Sequence, residues 1–538
     1  MSRYLILWPT SRWMLTITCI SLLVTGAWAK PPITDGEMDP VMLDLDPYMI
    51  EALRNTPGTG LAGRWGPTGS IVQLVEEPAF QALVKKHKLQ LFNGPMIGCV
   101  SSESVKIWVR TAGAASFQVI CDRAKSAVVK TTAESDFTGV AIIEGLTPFT
   151  RYEYSVVLDG KVIKKDYFRF RTAPKPGQGA KFAITFGSGA RYVPIHEGIW
   201  RVLAGTRPMA YLGLGDNVYI DQTKHQNVQR LHYYRRMLRQ EYRELIASTA
   251  IYAVWDDHDM GANDSEGSYG LDSSWKRPNL KVFRQNWNNP FYGIEPDAPG
   301  TYHNFRIGDV EVFMTDGRFY RHGPKSAKHQ GADKPFTMLG AVQKKWLLDS
   351  LKKSTATFKV LASGTMWHAD ADKGGGDSWA GPKSPFQKER DEIFDWIDSE
   401  KISGVILISG DRHRTDIWKT DRPNGYPLYE FLSAKLTNMH SHGSRKEALW
   451  SYSGRDERFW GQLDFDTTAT DPTVTFRAIN HMSKELAAFT LTLGELNHEA
   501  AKEGEAKKPK MVKVANPENE NAATEKKPRP EPVQLTVE

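Results

Sequence analysis

The feature that most constrains this chain is a set of short apolar runs, each stopping at an acid. Leu212-Gly213-Leu214-Gly215 leads into Asp216-Asn217-Val218-Tyr219, and Ala253-Val254-Trp255 into Asp256-Asp257-His258-Asp259. Phe313-Met314-Thr315 leads into Asp316-Gly317-Arg318, and Leu407-Ile408-Ser409-Gly410 into Asp411-Arg412-His413. Short apolar runs bounded by turn signals read as buried strands. Helical patterns fall between several of them, at Val228 to Ile246 and Leu339 to Lys352. Strands alternating with helices specify an α/β domain. In open α/β sheets, ligands bind beyond the carboxyl ends of the strands. Four strands carrying acids and histidines to that edge therefore place a candidate site there.

Further strand-like runs occur at Phe182 to Phe186, Ala210 to Leu214, Ile251 to Val254, Val310 to Met314, Phe358 to Ala362 and Val405 to Ile408. A closing β group covers Leu428 to Leu432, Thr473 to Ile479 and Ala488 to Leu493. The stretch before this domain differs. Residues 93–174 carry short alternating strands, such as Val105 to Arg110, with Asp159-Gly160 as a hairpin turn. That pattern suits a small β-sandwich of fibronectin or immunoglobulin type. Thr172 to Gly177 reads as a linker, so the α/β domain is expected over 180–498. Residues 30–92 read as a lead-in with short helices, loosely structured over 31–60 apart from Met49 to Arg54, with an amphipathic helix at Glu76 to His87. Beyond Glu499 the chain is rich in Lys, Glu, Pro, Ala and Asn, and 499–538 is expected to be a disordered tail.

With 538 residues, of which 40% are hydrophobic, there is ample material for a core. The net charge of +6 is mild at this length. No basic run interleaved with aromatics and no zinc-finger spacing marks a nucleic-acid module. Residues 1–29 read as a signal peptide: Arg3 and Arg12, an apolar Met14 to Ala27, then Ala27-Trp28-Ala29 as a cleavage site. The alternative, an uncleaved anchor, has too short an apolar run for a full span. An exported protein, periplasmic or extracellular, with no integral membrane segment after cleavage is expected. Cys99 and Cys121 then remain, as a disulfide or as two buried thiols.

Carboxylates, a phenolate and imidazoles are ligands for hard or borderline cations. Two cations about 3.5–4 Å apart can clamp a phosphoryl group. Asp256 to Asp259 is the sharpest candidate, because crowded acids repel unless an ion or hydrogen bonds hold them; the bland alternative is a solvated acidic loop. Asp411 and His413 alternate, so both can face one way from a strand end. Arg230, Arg235, Arg236, Arg239 and Arg243 share a predicted helix with Tyr233, Tyr234 and Tyr242. A solvated face with packed tyrosines is the favoured reading there, and an anionic pocket the other. His368 is either a ligand or phosphate contact or a partly buried structural histidine. Lys373 to Gly376 lacks the ending of a phosphate-cradling P-loop and suits a mobile loop.

Six blocks in order then make the chain resemble the alkaline phosphatase D (PhoD-like) family of metallophosphoesterases. They are Phe186-Gly187-Ser188-Gly189, Gly215-Asp216-Asn217-Val218-Tyr219, Trp255-Asp256-Asp257-His258-Asp259, Asp316-Gly317-Arg318-Phe319-Tyr320-Arg321, Asp377-Ser378-Trp379-Ala380-Gly381 and Gly410-Asp411-Arg412-His413. The match spans about residues 95–495. The resemblance implies a four-layer α/β/β/α catalytic domain behind a β-sandwich. It also implies hydrolysis of phosphate esters by metal-activated hydroxide, with two or more metal ions (Ca, Fe, Mn or Zn) as cofactors. Asp216, Tyr219, Asp257, Asp411 and His413 would be the metal ligands. His258 would face the phosphate and serve the leaving oxygen. Arg318, Asp256 and Asn263 would be phosphate contacts or supports.

One block departs. The family has a cysteine after Phe-Gly-Ser, and this chain has Gly189. The metal position there is expected to be open on one side, filled by water or by His196 or Arg191, with weaker selectivity for iron. The competing reading is a catalytically degenerate envelope protein of the same fold that binds anionic ligands.

Overall fold

The structure is a computed structural model. It describes residues 39–54, 70–222, 224–268, 274–326, 334–372, 376–379, 381, 383–498 and 510–512. The expected signal peptide lies outside the described residues.

Two seven-stranded sheets form the large domain. The first runs in the order Ala250–Val254, Ala210–Leu214, Lys181–Gly187, Phe459–Asp466, Thr473–Asn480, Glu485–Thr492 and Lys510–Val512. Its first three strands are parallel, and the β group that follows is antiparallel. The second runs His303–Ile307, Val310–Met314, Phe358–Ser363, Val405–Ser409, Leu428–Ser433, Thr415–Thr420 and Trp450–Tyr452. Its middle four strands are parallel.

Side-chain alternation explains why the sheets stack. Ala210, Leu212 and Leu214, like Ala250, Tyr252 and Val254, join the core shared with the second sheet. Tyr211, Ile251 and Ala253 instead join the cluster under the helices Ile199–Gly205, Gln226–Leu238 and Gln240–Ile246. Strands buried on both faces read as continuous apolar runs, as these do. Between the sheets, Phe431 stacks on Phe476 at 4.6 Å and Phe358 meets Phe465 at 5.5 Å. The helices Gly340–Lys353 and Gln387–Ser399 cover the outer face of the second sheet, the latter through Ile393, Phe394 and Ile397. The layers are thus α/β/β/α, as expected. No helix among the described residues is long and apolar enough to cross a membrane.

The preceding β-rich domain has two small sheets. One pairs Asn93–Gly98, Val105–Arg110 and Thr138–Ile143; the other centres on Ala115–Cys121 and Arg151–Leu158. Asp159 and Gly160 turn the expected hairpin with φ of 45° and 78°, the left-handed pair such turns require. Cys99 and Cys121 are free thiols. Burial pushes their pKa values up to about 11 and about 12.

Several expectations need correction. The described start of the lead-in is packed, not loose: the helix Pro40–Arg54 buries Met42, Leu45 and Met49 in the cluster that contains Tyr234, which also takes Phe80 of the expected amphipathic helix, Pro78–Lys86. The linker is fastened at Ala173, whose N–H donates to Ser101. The single helix expected over Val228 to Ile246 breaks at Arg239, whose backbone is extended. Its arginines are not solvated. Arg230, Arg236 and Arg239 are buried and paired with Asp136, Glu197 and Glu241. Of the expected disordered tail, Lys510–Val512 is an edge strand on Glu485–Thr492; the rest lies outside the described residues.

Asp136 is the joint between domains. Its side chain accepts from Arg110 at 3.1 Å and from Tyr234 Oη at 2.6 Å, and Arg230 approaches to 3.5 Å. Arg110 and Asp136 are both buried. Removing one partner of a buried pair leaves the other charge uncompensated, at about 3–5 kcal/mol. Asp136→Ala should therefore lower stability to chemical denaturation by about 3–5 kcal/mol. A change within about 1 kcal/mol, the range of exposed ion pairs, would show that the joint is not there.

Candidate metal centre

Four loops meet at the carboxyl ends of the parallel strands. Asp216 follows Ala210–Leu214 through Gly215, and Asp257 and His258 open the short helix Asp257–Met260 after Ala250–Val254. Asp411 and His413 follow Val405–Ser409, and Gly189 follows Lys181–Gly187. Gly215 has φ of 89°, and a Cβ there would stand 2.4 Å from Asp256 Cβ. Only glycine lets the two acid-bearing turns approach so closely. Asp216 and Asp411 themselves adopt left-handed backbone, φ 50° and 66°, an uncommon state that surrounding contacts must hold.

Those contacts are specific. Asp259 accepts from the backbone N–H groups of Asn217, Val218 and Asp256, which locks the second block onto the third. Ile220 N–H donates to the His258 carbonyl, and Ala190 N–H to that of Asp216. Asp411 N–H donates to Ser188 Oγ at 3.2 Å.

Within this frame Tyr219 Oη donates to Asp216 Oδ2 at 2.8 Å, and His413 Nε2 lies 2.9 Å from the same phenol oxygen. Asp216, Asp257 and His258 each offer one ligand atom within 4.8 Å of the others, and so do Asp257, Asp264 and Asp377. Tyr219 and His258 rings stack at 4.1 Å. His258 Nδ1 is hydrogen-bonded to Asp221, and its side chain keeps 17% of its surface exposed. Asp216, Tyr219, Asp257, Asp411 and His413, the residues expected as ligands, thus lie around one buried spot, with the partly exposed His258 beside it.

The electrostatics fit a cation. Burial raises the Asp216 carboxyl far above its usual range, and Asp257, Asp256, Asp259 and Asp411 add to the effect. Burial raises Asp411 likewise; Arg412 opposes this, while Asp377, Asp256 and Asp257 reinforce it. Burial holds His413 neutral, assisted by His442 and His440. Asp216 Oδ1, Asp411 Oδ2 and His413 Nδ1 are buried without a hydrogen-bond partner. Buried polar atoms are normally satisfied, and clustered acids normally paired. Oxygen and nitrogen donors of this kind suit the cations expected from the sequence.

Other expectations move. Arg318 is not at the phosphate surface. It is 0% exposed; its Nη2 donates to Asp256 at 3.0 Å and its Nη1 to Asp377 at 2.7 Å. It is a positioning residue beneath the acids. Asp377 sits between Arg318 and Arg321, and although burial opposes it, those guanidiniums draw its pKa down to about 2. Asn263 is exposed. His368 is structural: Nδ1 accepts from Asp370 N–H, Nε2 lies 3.2 Å from the Lys419 carbonyl, and the ring stacks on Trp418. Lys373 to Gly375 lie outside the described residues.

Sequence reasoning missed Asp264, His440 and His442. His440 and His442 pack their rings around His413, at 5.4 and 5.3 Å, and His442 Nδ1 accepts the His413 backbone N–H. The His-Ser-His spacing after Leu428–Ser433 was the available signal.

A model of the PhoD-like phosphatase family matches residues 182–482, more than half of the chain. The chain belongs to the PhoD-like phosphatase family. A second match, to a domain of unknown function (DUF7800), covers residues 88–172, the β-rich domain. Alkaline phosphatase D of Bacillus subtilis (strain 168) is 25% identical over 312 residues, 49% of this chain and 51% of that protein, so the match spans about half the relative's length. Among solved structures, one described as the structure of PhoD superposes with a TM-score of 0.62 at 16% identity, over 79% of this chain and 93% of that one. Purple acid phosphatase PPD1 from yellow lupin (Lupinus luteus) seeds gives 0.54 at 10% identity, over 74% of each. These two likenesses establish the metallophosphoesterase fold.

Within the PhoD-like frame, Gly189 is not the opening expected from sequence. Its φ is 68°, and a Cβ would stand 2.8 Å from Lys435 N and 3.1 Å from the His413 ring. The loop after Leu428–Ser433 fills the space, and Asn438 N–H donates to the Gly189 carbonyl. Arg191 is exposed, and His196 Nδ1 is engaged with the Thr437 carbonyl. Restoring the family residue by Gly189→Cys should therefore destabilise the protein by about 1–3 kcal/mol through backbone strain and displaced neighbours. Thermal melting checks this. An unchanged melting temperature would show that the turn has room for a side chain.

Proposed function

We propose that this protein hydrolyses phosphate esters with two or more bound cations held by Asp216, Tyr219, Asp257, Asp411 and His413. The observation that carries the reading is the pair of buried carboxylate oxygens without a hydrogen-bond partner, Asp216 Oδ1 and Asp411 Oδ2, beside Tyr219 and His413. Cations bound there would neutralise phosphoryl charge and make water nucleophilic near neutral pH.

The chain's own groups then divide the work. Tyr219 stays a phenol where burial and Asp216 oppose its ionisation, so it needs a neighbouring positive charge to act as a phenolate. Asp221 accepts from one ring nitrogen of His258, which leaves the other to carry a proton to a departing ester oxygen. Arg318 holds Asp256 and Asp377 so that the acids above them keep their geometry.

Asp257→Asn and Asp411→Asn should each lower kcat/KM by more than about 100-fold, the upper end of the cost of losing an outer-shell partner. Bound metal should fall in parallel and the circular dichroism stay unchanged. Monoester and diester hydrolysis by stripped protein, reloaded singly with Ca²⁺, Mn²⁺, Zn²⁺ or ferric iron, identifies the working ions. Absence of hydrolysis and of bound metal under every ion would favour the degenerate, anion-binding alternative.

We also infer export, from the charged start, apolar core and Ala27-Trp28-Ala29 of the sequence. Mass spectrometry of the envelope fraction should find a chain beginning at Lys30. An intact Met1 in the cytoplasm would overturn it.

A further inference from the structure

A cleft of about 300 Å³ lies on the opposite side of the first sheet's strands from the metal centre. Lys181, Met209 and Ala250 line it, all at the start of parallel strands or just before them. The β-rich domain supplies the facing wall, including Arg151, Arg169, Phe170 and Arg171. Ligand sites recur at domain interfaces of this kind.

The cleft's charge is strongly one-sided. Five cations line it: Arg151, Arg169, Arg171, Lys181 and Arg207. Lys181 pairs with Asp466 at 2.7 Å. Among the described residues, none of the four arginines has an ion-pair partner. The acids nearby are occupied. Asp464, in the cleft wall, pairs with Arg477, and Glu153, in register with Arg169, pairs with Lys164.

Two arginines are placed against each other. Arg151 and Arg171 are direct cross-strand partners, and like charges directly opposite destabilise a sheet. Arg171 lies over the Phe149 ring at 3.8 Å, and its Nε is buried without a hydrogen-bond partner. Arg207 reaches the cleft from a left-handed backbone, φ 54°. Mutual repulsion, backbone strain and an unsatisfied guanidinium converge on one spot that an anion would relieve. Guanidinium forks match phosphate oxygens in particular. Phe170, Phe182, Pro208 and Met209 give the same cleft an apolar wall.

We propose that this interdomain cleft is a second, non-catalytic anion site that binds a phosphate group, either the free ion or the head of a phosphate ester. It does not depend on the metal centre.

The test uses full-length protein stripped of metal with chelator, so that the first site contributes no cation-dependent binding. Isothermal titration with inorganic phosphate and with phenylphosphonate should show one site. Arg151→Ala/Arg171→Ala should weaken it about tenfold or more, as expected for lost charge-assisted hydrogen bonds. The same double variant should melt no lower than wild type in phosphate-free buffer, because the repulsive pair is gone. Tighter binding of phenylphosphonate would identify an ester as occupant, and tighter binding of phosphate the free ion. Unchanged affinity in the variant, or no binding by stripped wild type, would overturn the proposal. Loss of hydrolysis in Asp257→Asn with phosphate binding retained would separate this site from the catalytic one.

Discussion

Mutual repulsion among buried carboxylates is the constraint around which the rest of this structure is arranged. Asp216, Asp256, Asp257, Asp259, Asp377 and Asp411 are gathered where the carboxyl ends of the two sheets meet, and their charges raise one another's cost of ionising. The protein answers in two ways. Where an acid is structural, it is saturated: Asp259 by three backbone N–H groups, Asp256 and Asp377 by Arg318. On Asp216 and Asp411 it leaves one oxygen each without a hydrogen bond, an arrangement a cation would complete. Arg318 is a charge built into the floor, and its full burial is tolerable because carboxylates flank it on two sides.

The scaffold serves that arrangement. Two sheets meet through aromatic contacts and present their carboxyl edges together, so turns from both contribute acids. Glycine at 215 lets the second and third turns touch, and glycine at 189 lets the loop carrying His440 and His442 close over the first. The β-rich domain is bolted on through Arg110 and Asp136, whose partner Tyr234 lies on the helix between the second and third acid-bearing turns.

Much of this was legible in the sequence, because buried parallel strands are written as unbroken apolar runs and the acids follow them directly. Ala210–Leu214 and Val310–Met314 fall where the pattern puts them. The expected ligands came from the ordered blocks, which left Arg318 open between a phosphate contact and a support. Sequence cannot tell an arginine that meets a ligand from one that meets Asp256. It also misjudged Arg230 and Arg236 on Gln226–Leu238, whose partners Asp136 and Glu197 lie on other elements. His440 and His442 escaped because they sit on an irregular loop, where no period points to them. The break at Arg239 was hidden for the converse reason, since helical apolar spacing continues across it.

The short strand Lys510–Val512 has a consequence for how the protein behaves in concentrated solution. It pairs with Ala488 to Thr490 and so covers three residues of the edge that Glu485–Thr492 presents. An uncovered edge strand offers free backbone groups to any other chain and is a template for aggregation. Lys510–Val512 thus blunts that stretch of edge, and at three residues it offers little edge of its own. Proteolytic loss of the segment would leave the metal centre intact while making the molecules prone to adhere to one another.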